Sequence, residues 1–155
     1  MSTPIKGGCA CGAIRYEIAA EPIMAGHCQC RDCQRATGGG HASMMAFPKA
    51  AVKIAGGPKF HEVKADSGNT VSRGFCPNCG CLVTARSSGM PDMVMIAAGS
   101  LDDPSVFKPQ MVVFTRSAQP WDRMDPDLAK FAKLPEMPAL PPGQIPPARS
   151  RGVSP

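Results

Sequence analysis

Apolar and polar residues alternate along Ala13-Ile-Arg-Tyr-Glu-Ile18, the period-two pattern of a strand with one buried face. Similar stretches recur at 41–47, 52–55, 59–64, 70–75, 82–86, 93–98 and 111–115. Turn residues punctuate them at Gly38-Gly-Gly40, Gly56-Gly-Pro58, Ser67-Gly-Asn69 and Gly89-Met-Pro91. Short strands spaced by such turns predict a mainly β fold of antiparallel sheets with few short helices. One helix is expected over about 31–37. Another is expected over 125–133, where Asp125-Pro126 supplies a cap and a first-turn proline.

Length fits a single domain with a modest core, and that core is poor in aromatics, with 6 Phe, 1 Tyr and 1 Trp in 155 residues. From Leu134 onward proline dominates, and proline supports neither ladder nor helix hydrogen bonding. The division expected is a folded domain over 1–133 and a proline-rich tail over 134–155. Met137, Leu140 and Ile145 give the tail apolar anchors, so it is expected to lie extended over its own domain or a partner, making a homodimer through the tail possible.

The formal charge of +5 comes from dispersed Lys and Arg, which argues against a nucleic-acid partner. No apolar run reaches the ~18 residues of a membrane span. The first residues, Met1-Ser-Thr-Pro-Ile-Lys-Gly-Gly, hold no apolar h-region, so a cytoplasmic protein is expected.

The eight cysteines change the picture most. They fall into three clusters: Cys9-x-Cys11, Cys28-x-Cys30-x-x-Cys33, and Cys76-x-x-Cys79 with Cys81 just beyond. Thiolates two or three residues apart can converge on a metal, whereas that spacing strains a disulfide. An even count also fits disulfide staples, but a reducing compartment favours metal. Cys76-Pro-Asn-Cys79-Gly80 reads as a zinc knuckle needing a second pair, and Cys9 with Cys11 can supply it. That set of four is closed and structural. Cys28, Cys30 and Cys33 form a set of three, the pattern of a reactive zinc with one open position. The competing possibility is a second structural zinc closed by His27, His41 or Cys81. Two zinc ions held by seven thiolates would bring the formal charge to about +2.

These motifs, in order, resemble the glutathione-dependent formaldehyde-activating enzyme family, which also includes centromere protein V. The resemblance runs from Gly-Gly-Cys9-Ala-Cys11-Gly-Ala-Ile-Arg-Tyr through His-Cys28-Gln-Cys30-Arg-Asp-Cys33-Gln-Arg-Ala-Thr-Gly and Arg73-Gly-Phe-Cys76-Pro-Asn-Cys79-Gly80. It continues through Ala98-Gly-Ser-Leu101-Asp-Asp-Pro104 to Pro120-Trp121. It implies coiled antiparallel sheets around two zincs, one structural on Cys9, Cys11, Cys76 and Cys79, one catalytic on Cys28, Cys30 and Cys33. The family's named activity is addition of glutathione to formaldehyde, giving S-hydroxymethylglutathione, a carbon–sulfur lyase in the reverse sense. Two departures stand out: Cys81 replaces a usual small hydroxyl residue, and Met111-Val-Val-Phe114 lacks a histidine often found there.

The function expected is therefore a zinc-dependent carbon–sulfur lyase-like enzyme joining a small, glutathione-like thiol to an aldehyde. A non-catalytic zinc module contacting protein or nucleic acid is the alternative. A zinc hydrolase would need His41 or Asp32 as its base. Among other residues, Arg31, Arg35 and Lys49 are candidates for receiving a carboxylate, and Arg73 for bonding the knuckle's carbonyls. Met44, Met45, Met93 and Met95 are read as core filler or a soft pocket. Trp121 is read as a core anchor or groove wall, and Cys81 as a spare thiol or an exchange ligand.

Overall fold

The computed structural model describes residues 3–136. Its strands are β1 (Ile5–Gly8), β2 (Arg15–Ile18), β3 (Met24–Cys28), β4 (Ala42–Pro48), β5 (Val52–Ala55), β6 (Lys59–Lys64), β7 (Thr70–Phe75), β8 (Leu82–Ser87), β9 (Met93–Ala97), β10 (Met111–Val113) and β11 (Ala129–Lys130). Among the described residues α1 (Arg31–Thr37) is the single α-helix. The mainly β fold expected is the fold observed. No helix among the described residues is long and apolar enough to cross a membrane. The proposed tail and any dimer through it lie almost wholly outside the described residues.

Two sheets form. One is three-stranded, in the order β1-β2-β5, and the other eight-stranded, in the order β11-β10-β3-β4-β9-β8-β7-β6. Most pairs are antiparallel, but β10 runs parallel to both β3 and β11. The core lies between the sheets. Ile14, Tyr16 and Ile18 from the small sheet side meet Met45, Phe47, Val94 and Ile96 from one face of the large sheet. Phe47 is fully buried there. Phe47→Ala is expected to cost about 3–5 kcal/mol by opening a cavity, measurable as a lower urea midpoint at an unchanged slope.

The helix expected over 125–133 does not form. Asp125 does cap a turn, accepting the Asp127 N–H at 2.9 Å and the Leu128 N–H at 3.3 Å on its side chain and carbonyl respectively. The chain then extends into β11 and pairs with β10, and Phe131 N–H donates to Val112 O at 2.9 Å. A nine-residue helix is marginal alone, and ladder bonds to an existing edge outcompete it.

Candidate metal centres and the cavity beside them

The sulfurs of Cys9, Cys11, Cys76 and Cys79 lie within 4.8 Å of one another. Cys9 and Cys11 sulfurs are 3.5 Å apart, and those of Cys11 and Cys76 are 3.7 Å apart. All eight cysteines are free thiols, which removes the disulfide possibility. Four sulfurs at about 2.3 Å from one zinc stand roughly 3.8 Å apart at the corners of a tetrahedron, so the donor set fits. Local backbone shapes it. Ile14 N–H donates to Cys9 Sγ at 3.2 Å, and Gly80 N–H donates to Cys76 O at 2.8 Å. Gly80 holds φ 77°, a left-handed value that glycine adopts without a Cβ clash. Backbone N–H groups of Cys81 and then Cys11 pull the Cys79 thiol down to about 6. Cys81 belongs to this end of the molecule, where its Sγ accepts the Ala10 N–H at 3.4 Å. It is not among the central sulfurs.

The second cluster is built by a strand-turn-helix. Cys28 ends β3, Cys30 is the N-cap of α1, and Cys33 lies in its first turn. The Cys30 Sγ accepts the Cys33 N–H at 3.3 Å, which ties two sulfurs into one turn. All three sulfurs again lie within 4.8 Å of one another. Hydrogen bonds from Cys28 and Cys33 pull the Cys30 thiol down to about 2, while Cys30 pushes Cys28 up. Arg73 Nη2 stands 3.6 Å from Cys33 Sγ. It serves this cluster rather than the knuckle, because it sits mid-strand on β7.

Behind the sulfurs lies a braced network. Gln29, buried between two of the cysteines, donates from Nε2 to Asp122 Oδ2 at 3.0 Å. His41 Nδ1 meets Asp122 Oδ1 at 2.9 Å. Gln34 Nε2 donates to the Gln29 and Ser117 carbonyls at 2.8 and 2.9 Å. Gly40 makes room for this carboxylate, since a Cβ there would meet Asp122 Cγ at 2.3 Å. Asp122→Ala is expected to weaken metal binding at the three-sulfur cluster about 10–100-fold, leaving the four-sulfur centre unchanged in a chelator competition.

Gln29 and Asp122 escape sequence reading because they are 93 residues apart, and Gln34 because its Ser117 partner is 83 residues away. Only Gln29, fixed between two ligands, carries a local signal. His27, weighed above as a fourth zinc ligand, is placed away from that role. It lies on β3, where alternation sets its ring opposite Cys28; it bonds Ser43 Oγ at 2.8 Å and packs edge-on against His41 and Phe107. Burial, then the neighbouring His41, lowers its pKa. Neither histidine is a member of the sulfur clusters. Trp121 is 66% exposed, so it is neither core anchor nor groove wall.

A cavity of about 290 Å³ opens on the three sulfurs, with Asp32 and Arg73 in its wall. Arg31, Arg35 and Lys49 are not among its lining residues; Arg31 instead bonds Gln34 Oε1. Phe114 lines the cavity with φ 58° and ψ 37°, left-handed values that cost a bulky residue roughly 1–3 kcal/mol.

Residues 4–117 match the family described as glutathione-dependent formaldehyde-activating enzyme. No curated protein matches the chain. Among solved structures, one described as the crystal structure of a Rhodobacter sphaeroides protein superposes with a TM-score of 0.52 at 20% identity, over 63% of this chain and 87% of that one. At that identity the likeness speaks to the fold alone.

Proposed function

The chain belongs to the glutathione-dependent formaldehyde-activating enzyme family, and from that premise we propose that it adds a small thiol to an aldehyde, and reverses the addition, at the Cys28–Cys30–Cys33 cluster. In this reading Cys9, Cys11, Cys76 and Cys79 hold a structural zinc. The observation that carries it is the placement of three converging sulfurs in the wall of a cavity. A zinc ion bound by Cys28, Cys30 and Cys33 would supply positive charge that favours the thiolate form of an incoming thiol.

The chain's own residues supply the rest. Arg73 offsets the negative charge gathered on the cysteines. The Gln29–Asp122–His41 network fixes the loop that carries them. Asp32, in the cavity wall, is the carboxylate placed to hold the thiol proton and deliver it to the carbonyl oxygen. His41 does not take that role, because its ring is held by Asp122 and lies outside the cavity lining, and the Nδ1 of His27 is engaged by Ser43 Oγ. The cytoplasm is the compartment that suits such thiol chemistry.

The test is the rate of thiohemiacetal formation and breakdown, followed with glutathione and formaldehyde, for the zinc-loaded protein and for Asp32→Asn. The wild type should exceed the uncatalysed exchange, and the variant should lose about 10²–10⁴-fold. An exchange rate equal to that of buffer for every aldehyde tried, from folded protein with both sites filled, would sink the proposal.

A further inference from the structure

The large sheet is apolar on both faces, although only one of them meets the core. On β4, Met45 and Phe47 point into the core, and the intervening Met44 and Ala46 line the cavity. Strand register carries this second face across the sheet. Met24 pairs with Ala46, Ala46 with Met95, Met95 with Ala85, and Ala85 with Arg73. Beside that row, Met111 pairs with Gly26 and Gly26 with Met44. Small residues thus alternate with methionines, leaving a hollow with soft, adaptable walls. It runs from the Cys28 end of β3 toward the exposed Ser67.

The hollow's size and chemistry define its occupant. Its volume of about 290 Å³ is nearly twice the ~150 Å³ that accepts a benzene molecule. Arg73 and Asp32 are the charged residues in its wall, and Arg73 already faces Cys33. A glutathione-like tripeptide, with two carboxylates and an ammonium, would leave those charges unpaired inside it. Formaldehyde would leave it almost empty.

Resting on the thiol–aldehyde reading, we infer that the carbonyl substrate is an apolar aldehyde, aromatic or aliphatic of at least about six carbons, whose body occupies the methionine-lined cavity. The thiol keeps its charged groups toward the mouth. In the reaction the thiol sulfur bonds to the carbonyl carbon, the C=O π pair moves to oxygen, and oxygen receives the thiol proton. Nothing is oxidised or reduced.

Two measurements on the full, zinc-loaded chain test this. The first is a titration with benzyl alcohol, an unreactive analogue, watched through ¹³C-methyl methionine NMR. The methyls of Met24, Met44, Met95 and Met111 should shift saturably. The second compares formaldehyde, propanal, hexanal and benzaldehyde with one thiol. Catalytic efficiency should rise about fourfold per methylene buried until the cavity fills. Met44→Trp should remove the methyl shifts and at least about tenfold of the hexanal advantage, and Met95→Phe serves if that protein does not fold. Formaldehyde fastest, with still methyls, overturns the inference and leaves the thiol–aldehyde reading intact. If no aldehyde at all is turned over, that reading fails. The titration then decides the cavity's occupant alone: saturable shifts sustain an apolar ligand, and their absence overturns it.

Discussion

Cys79→Ser protein is expected to lose cooperative folding. The four sulfurs join the turn after β1 to the turn between β7 and β8, so one ion would tie chain segments 65 residues apart. Apparent binding energies for structural zinc are about 10–16 kcal/mol, as large as the whole net stability of a domain, about 5–15 kcal/mol. The aromatic-poor core leaves little reserve. Serine preserves size but is a poor zinc donor, so the loss is one of coordination rather than packing. Circular dichroism melts with parallel zinc analysis check this: the variant should show a broad, early transition and less than one equivalent of metal. A wild-type melt with one zinc missing would make this centre dispensable.

Cys30→Ser should have the opposite signature, with the fold intact and turnover reduced more than about a hundredfold. The lower bound follows from the 10–100-fold typical of losing a partner behind a ligand, since losing the ligand itself removes more. The fold should survive because Cys30 is the N-cap of α1, and serine is among the best capping residues. Its hydroxyl can accept the Cys33 N–H that Sγ now accepts. Cys30→Ala sharpens the comparison by removing both donor and cap, at about 0.5–2 kcal/mol of additional stability. Full activity in Cys30→Ser, with two zincs bound, would place the chemistry elsewhere.

Much of this architecture is legible in the chain. The strands at 52–55, 59–64 and 70–75 and the helix at 31–37 form where alternation, turn residues and the cysteine spacing predict them. β1 and β3 were not legible. Ile-Lys-Gly-Gly and Met-Ala-Gly-His-Cys carry little β-propensity, and their pairing comes from neighbours in the sheet. Both sulfur clusters follow from spacing. The Asp122 brace does not, because it depends on a carboxylate brought 93 residues along the chain to Gln29. The methionines split by face: Met45 in the core, Met44 and Met95 in the cavity. Alternation alone would have separated them, but apolar residues at both phases of β4 hide which face meets water.

The two centres also differ in how much chain each needs before it can assemble. Cys28, Cys30 and Cys33 are contained in a single strand end and helical turn, so they can gather as soon as that stretch leaves the ribosome. Cys9 and Cys11 must wait for the hairpin that carries Cys76 and Cys79. A large loop-closure entropy falls on that later event. During synthesis the early cluster is thus exposed to whatever ion the cell offers, while the late one acts as a latch on topology already in place.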